Sequence, residues 1–437
     1  MIPGSGQKIF YSRGSAMTYE ERMKWFHEAR FGIYIHYGLY SITGRGEWTM
    51  YSERINPAEY ARLADKFHPV PGAAKEWCEA AKLAGAKYVV LTTRHHEGFS
   101  LFDSQYSDFT SAKLGCKRDI VREYVDAARE AGLKVGLYYS LLDWRFPGYF
   151  EPEKYPESRA ALVDYVHNQV RELMSNYGQI DLLEYDGGWM HDLDPDKEKQ
   201  IAFWRARELN AMVRKLQPGI IINNRSGLDE DLDTPEQVVK ASGAGRGWES
   251  CMCIGDSCGW GYVRFNPNWK NPAQLIQNLV LAAQDEGNYL LNIGPMPDGR
   301  VRSEELDRLR MMGKWLKVNE IAVRNSQRCQ LISSSQPGMV DLNLQGGWTR
   351  QGTTGYWCIF RWPGERATAV RVGARPLQVK LLATGQELPF EYNEYNGKLT
   401  ISGLPLLPPD EYCTVLEVQF DAVPQIKAEA APADWLF

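Results

Sequence analysis

The chain has 437 residues, 24% of them charged and 44% hydrophobic, with a formal net charge of −5. That length suits one large domain followed by a small one. The charge balance and the lack of a basic stripe argue against a nucleic-acid partner, and with no run of about 18 apolar residues nothing is expected to span a membrane. Residues 1–16 are rich in Gly and Ser and have no apolar h-region, so no signal peptide is read there. The expected location is cytoplasmic, or periplasmic or secreted for a chain trimmed of its leader.

A helix is predicted over residues 19–29, leading into the first of six short apolar runs at 31–36, 87–93, 134–140, 180–185, 219–224 and 288–293. Runs of this kind, rich in β-branched and aromatic residues, are buried on both faces, as in parallel sheets. Amphipathic segments separate them: 73–84, 119–131, 158–176, 196–216, 273–285 and 303–319. Gly85, Gly132, Gly178, Pro218 and Gly287 stand just past the ends of these segments as stop signals. The repeated βα pattern predicts an α/β fold over residues 1–328, with a (β/α)₈-like (TIM-type) barrel as the expected architecture. A doubly wound sheet is the other architecture with this texture, but no Gly-rich phosphate loop follows a strand, which disfavours a nucleotide-binding fold.

After Arg324 the texture changes to short alternating segments at 356–362, 369–372, 378–382 and 398–402, punctuated by Pro, Gly and Asn. Residues 329–437 are therefore expected to form an antiparallel β-sandwich. The tail from residue 424 is rich in Ala and Pro and is expected to pack loosely. The eight cysteines (78, 116, 251, 253, 258, 329, 358 and 413) are scattered and form no disulfide framework. The group Cys251, Cys253 and Cys258 lacks a fourth ligand at zinc-finger spacing, so no metal and no cofactor is predicted.

Functional side chains of such a barrel sit at the C-terminal ends of its strands. The predicted strands end in His36 and Tyr37; in Arg94, His95, His96 and Glu97; in Tyr138 and Tyr139; in Glu184, Asp186 and Trp189; and in Asn223, Asn224 and Arg225. A later segment carries Trp248 and Glu249. Each has an ordinary reading: Asp186 before Gly187–Gly188 as a turn, His36 as a core histidine, Glu249 as a surface carboxylate, Arg225 as a structural ion-pair partner. Adjacent histidines on a strand point to opposite faces, so His95 and His96 are a poor pair for one metal. Together these residues describe a polar pocket with aromatic walls. The 14 Trp and 23 Tyr of the chain hint at carbohydrate, since aromatic faces stack on sugar rings, with a large aromatic-rich core as the plainer reading. Glycosidic cleavage needs two carboxyl groups, one attacking the anomeric carbon and one donating a proton to the leaving oxygen.

The chain resembles the family 29 α-L-fucosidases from about Trp25 to Phe420. The likeness is carried by Phe31-Gly-Ile-Tyr-Ile-His-Tyr-Gly-Leu-Tyr-Ser, Gly46-Glu-Trp and Thr92-Thr-Arg-His-His-Glu-Gly-Phe. It continues through Gly136-Leu-Tyr-Tyr-Ser, Tyr185-Asp-Gly-Gly-Trp, Asn223-Asn-Arg, Trp248-Glu-Ser-Cys-Met and Trp260-Gly-Tyr, and ends in Asn288-Tyr-Leu-Leu-Asn-Ile-Gly-Pro-Met-Pro-Asp-Gly and Trp315-Leu-Lys-Val-Asn. The resemblance implies an exo-acting retaining α-L-fucosidase, a glycoside hydrolase acting on a glycan or small fucoside without a metal. It implies Asp186 as nucleophile, with His36, His95, His96 and Arg225 on the sugar hydroxyls and Glu47, Trp48, Tyr139 and Trp260 lining the pocket. The acid/base varies in position within the family; Glu249 is the expected one, with Glu47 in reserve. Linkage and aglycone are left to loops such as 144–154 and 228–247.

One position departs from the family pattern. Two residues before the nucleophile these enzymes usually carry Trp, and this chain has Glu184. On a strand, Glu184 and Asp186 face the same side roughly 6–7 Å apart. Fucose is 6-deoxy-L-galactose, so a carboxyl in place of an apolar wall raises the alternative of a sugar with a C6 hydroxyl, such as L-galactose. The plainer reading pairs Glu184 with a basic neighbour. A non-catalytic glycan-binding protein on the same fold is a third reading.

Overall fold

The computed structural model describes residues 17–428 except 192–194, 244, 257–258, 267, 330 and 332–345. Residues 1–16, Cys258 and the end of the tail, 429–437, thus lie outside the described residues. Eight parallel strands form the first sheet: β1 (Phe31–Ile35), β2 (Tyr88–Arg94), β3 (Lys134–Ser140), β4 (Leu182–Asp186), β5 (Ile221–Ile222), β6 (Leu232–Asp233), β7 (Gly247–Cys253) and β8 (Asn288–Ile293). Their order is β5-β4-β3-β2-β1-β8-β7-β6. A parallel bridge from Asn223 to Leu232 joins the two ends, so the sheet is a nearly closed barrel.

Strand alternation sorts the side chains into two cores. Outward residues such as Ile33, Val89, Val135 and Leu137 pack against the surrounding helices. Inward residues, among them Tyr34, Val90, Tyr138, Leu182 and Leu290, form a second cluster inside the barrel. Met23 and Phe26 join that inner cluster from the helix Tyr19–Ala29. Thr18 and Glu21 start this helix with a reciprocal capping box. The inner cluster leaves the opposite, C-terminal end of the barrel to polar side chains.

All six predicted strands are present, and two more complete the ring. β6 is two residues long, and β7 carries Glu249 and Ser250 among its small and aromatic residues, so neither forms an apolar run. The helix expected over 196–216 is two helices, Lys197–Trp204 and Ala206–Leu216, divided at Arg205, which adopts a left-handed conformation (φ 47°). The break lets Trp204 bury fully and donate its Nε1–H to the Gly188 carbonyl (2.7 Å), while its own carbonyl meets His167 Nε2 (2.9 Å).

The C-terminal part contains β9 (Gln327–Arg328), β10 (Gly346–Gln351), β11 (Thr354–Ile359), β12 (Arg366–Ala369), β13 (Pro376–Leu381), β14 (Gln386–Glu387), β15 (Phe390–Asn393), β16 (Lys398–Ser402) and β17 (Thr414–Phe420). They form a six-stranded antiparallel sheet, order β14-β13-β17-β11-β10-β9, and a three-stranded sheet, order β12-β16-β15. Trp348, Trp357, Val379, Leu399, Ile401 and Leu416 belong to one cluster drawn from both sheets, as in a β-sandwich. Against the expectation of loose packing, the described part of the tail is tied down: Ile426 bridges to Val372, and Lys427 donates its backbone N–H to Arg371 (2.7 Å). The described cysteines are all free thiols.

Candidate active site

At the C-terminal end of the barrel lies a cavity of roughly 130 Å³, the scale of one sugar ring. Of the residues expected at the site, it is lined by His36, Trp48, His95, His96, Glu184, Asp186, Arg225 and Trp260. Glu184 and Asp186 come from β4 and the others from segments beyond the ends of several strands, which is why they are dispersed in the chain.

Asp186 ends β4 and points inward. Tyr138 donates its hydroxyl to Asp186 Oδ2 (2.8 Å), and Arg225 Nη1 donates to Oδ1 (3.0 Å). Burial alone would raise the carboxyl's pKa; the Arg225 guanidinium and the Tyr138 hydroxyl outweigh it and hold the group well below the usual carboxylate range. The turn beyond Asp186 is tight. Gly187 has φ 62°, and a Cβ on Gly188 would lie 2.1 Å from the Arg225 carbonyl oxygen.

His95 and His96 do not diverge as adjacent strand residues would. The register shifts between Thr92 and Arg94, and β2 ends at Arg94. Both rings then face the cavity, 4.0 Å apart. One ligand atom each from His95, His96 and Asp186 lie within 4.8 Å of one another, a grouping the strand argument had discounted. His36 is neutral: burial first, then His95, lowers its pKa to about 3. Asn292 Nδ2 donates to the Trp260 carbonyl (2.7 Å), so Asn292 Oδ1 accepts and His36 Nδ1 is the donor to it (2.6 Å). The lone pair of His36 is therefore on Nε2. The same logic applies to His96. Ser140 Oγ donates to the Leu142 carbonyl and meets His96 Nδ1 at 2.7 Å, which puts the lone pair on Nε2, 3.6 Å from Asp186 Oδ2. Two acceptors thus face each other across a gap that calls for a hydrogen-bond donor.

Three expected site residues are placed elsewhere. Tyr139 points out of the barrel, where it donates to Gln169 Oε1 (2.9 Å) beneath the Arg94 guanidinium; alternation sends its neighbour Tyr138 inward instead. Glu47 is buried and accepts the backbone N–H groups of Trp260 (2.9 Å) and Gly261 (2.8 Å), so it anchors the Trp260 loop rather than lining the cavity. Glu249 is paired in register with Asn288, the first residue of β8, at the inner end of the barrel away from the mouth. There it accepts a hydrogen bond from Tyr88 and meets Glu184 carboxyl to carboxyl. Burial and the adjoining Glu249 push Glu184 well above the ordinary carboxyl range, and burial raises Glu249 as well. Such a pair holds one proton between them. Tyr88 stabilises the charge on Glu249, leaving Glu184 as the protonated member.

A carboxylate not singled out in the sequence stands at the mouth. Glu236 lines the cavity, forms an ion pair with Arg225 Nη2, and its side chain is 43% exposed. One guanidinium thus joins Asp186 to Glu236. Glu236 sits in an irregular segment beside β7, bridged to Cys251, and no periodic pattern marks it. Tyr34 and Cys251 also line the cavity from within the barrel.

The family model for α-L-fucosidase matches residues 7–320. The chain belongs to the α-L-fucosidase family. Among curated relatives, human plasma α-L-fucosidase is 31% identical, covering 87% of each chain, and bovine tissue α-L-fucosidase is 29% identical, covering 88% of this chain and 85% of the relative. Among solved structures, α-L-fucosidase isoenzyme 1 from Paenibacillus thiaminolyticus superposes with a TM-score of 0.80 at 34% identity, over 92% of this chain and 99% of that one. A family 29 α-L-fucosidase from Bacteroides thetaiotaomicron, trapped as a covalent intermediate with 2-fluoro-fucosyl fluoride, gives 0.82 at 27% identity, over 94% and 98%.

Proposed function

We propose that the chain is a retaining exo-glycosidase that hydrolyses terminal α-L-fucosyl residues of glycans. The observation that carries this reading is an ionised Asp186, held by Tyr138 and Arg225, at the head of a one-sugar cavity in a chain of this family. The lone pairs of His36 and His96 supply acceptors for sugar hydroxyls, and a hydroxyl beside His96 and Asp186 can donate to one of the two. Trp260, stacked on His36 at 5.2 Å, and Trp48 at the mouth supply apolar walls.

Asp186 attacks the anomeric carbon as the glycosidic bond breaks, and Glu236, acting in its protonated form with the Arg225 ion pair released, gives its proton to the departing oxygen. Glu236, now a carboxylate, takes a proton from water, whose oxygen attacks the same carbon and releases Asp186. Glu236 takes this role in place of Glu249, because it combines cavity lining with solvent access. Glu249 has neither.

Purified protein is expected to hydrolyse p-nitrophenyl α-L-fucoside, unchanged by EDTA, because this chemistry needs no Lewis acid. Loss on chelation with recovery on adding a metal would assign a cation to His95, His96 and Asp186. Asp186→Gly is expected to abolish turnover, and azide to restore it with formation of a β-L-fucosyl azide. Near wild-type rates in Asp186→Gly would remove the assignment. Fucose binding without turnover by the wild type would favour a glycan-binding protein.

A further inference from the structure

The innermost wall of the cavity is not apolar. Glu184 lines it from β4 with 3% of its surface exposed, and Tyr34 and Cys251 line it from β1 and β7. Among the described residues no cation lies within ion-pair distance of Glu184. Its Oε2 receives one long hydrogen bond, 3.4 Å from Asn223 Nδ2. Its carboxyl also adjoins that of Glu249, and its Oε1 accepts no hydrogen bond from the described residues. A carboxyl oxygen has two acceptor sites, so Glu184 keeps unused acceptor capacity at the edge of the cavity. A buried polar group left short of partners is costly, and the cost disappears when a ligand supplies the missing donor.

The ring of L-fucose carries hydroxyls at C2, C3 and C4 and a methyl at C5. His95, His96 and Asp186 meet on one side of the cavity, with the His36 ring 6.0 Å from that of His95, and they provide polar atoms for the three hydroxyls. Glu184 is surplus to that demand. It stands two residues below Asp186 on the same face of β4, roughly 6–7 Å away. Asp186 must reach C1, and the C5 substituent lies one ring oxygen away from C1, within that range. We propose that Glu184 accepts a hydrogen bond from a hydroxyl on C6 of the sugar, so that the chain hydrolyses α-L-galactosides as well as α-L-fucosides. The proposal rests on the fucosidase reading above and extends its substrate class. L-galactose differs from L-fucose only by that hydroxyl, so the same hydroxyl contacts, nucleophile and acid/base serve both sugars.

The test compares kcat/KM for p-nitrophenyl α-L-galactoside and p-nitrophenyl α-L-fucoside on one preparation, so that the folded fraction cancels from the ratio. In the wild type the galactoside is expected within about tenfold of the fucoside. Glu184→Gln keeps an acceptor and should preserve that ratio, whereas Glu184→Leu should lower it roughly tenfold or more. Inhibition of the wild type by free L-galactose and free L-fucose gives a second reading that needs no variant, and the two sugars are expected to inhibit within about tenfold of each other. Turnover of the fucoside with the galactoside poorer by about a hundredfold or more overturns the proposal and leaves the fucosidase reading standing. A ratio unmoved in Glu184→Leu also overturns it. Turnover of neither sugar overturns both readings.

Discussion

Side chains at the mouth and at the inner end of this barrel differ in what they can do, and the two carboxylates Glu236 and Glu249 illustrate it. Glu236 is within reach of solvent and bound to the guanidinium that also holds Asp186. Glu249 is fully buried and accepts a hydrogen bond from Tyr88 beside the Glu184 carboxyl. Glu236→Ala should therefore give a selective defect. A dinitrophenyl fucoside, whose leaving group needs little protonation, should keep its first step far better than a disaccharide, by a factor on the order of 10²–10⁴. Glu249→Gln should slow both substrates alike. Equal losses in Glu236→Ala, measured by pre-steady-state release of the leaving group, would remove Glu236 from the acid/base role. Sequence reasoning reached Asp186, the histidines and Arg225 because they end apolar runs. It could not reach Glu236, because nothing in an irregular segment says which way a carboxylate points.

At the scale of elements, the turn after β4 connects chain geometry to chemistry. Asp186 is followed by two glycines, the first left-handed and the second packed against the backbone of Arg225. The divided helix secures this turn from outside through Trp204 and the Gly188 carbonyl. Gly188→Ala would push its methyl into the Arg225 carbonyl oxygen, 2.1 Å away, and displace the residue that holds Asp186. The expected result is a fall in kcat of roughly tenfold to a hundredfold on a nitrophenyl fucoside, since small misplacements at a reacting centre are costly. A wild-type kcat would mean that the turn relaxes without moving Arg225. Most of the element pattern was legible in the chain. The strands β1 to β5 and β8 are apolar runs, and their helices end at Gly or Pro. What stayed hidden was β6, β7 and the break at Arg205, where tertiary contacts rather than periodicity set the conformation.

Across the whole molecule, the barrel and the C-terminal sheets share packing. Trp315, on the barrel helix Ser303–Asn319, is 2% exposed and donates its Nε1–H to the Cys413 carbonyl (2.7 Å). Tyr356, Cys358, Cys413 and Val415 of the sheet region belong to the same apolar cluster as the barrel's outer core. Trp348 donates its backbone N–H to Gln284 Oε1 (2.9 Å) at the end of the helix Pro272–Gln284. The two parts should unfold together in a single calorimetric transition. Trp315→Ala should lower its midpoint, with a loss of about 3–5 kcal/mol for a buried Trp. Two resolved transitions in the wild type would show that the shared cluster does not couple them. By itself the sequence determined the barrel, the sandwich after it, the family and the place of Asp186 at a strand end, because these depend on local periodicity and on motifs contiguous in the chain. Only the tertiary structure decided that Tyr138 rather than Tyr139 faces the site, that His95 and His96 converge, that Glu47 and Glu249 lie off the cavity and that Glu236 stands on it. Those outcomes depend on a register shift, on the layer of the barrel a residue occupies and on contacts between distant loops, and none of these is encoded by a short stretch of chain.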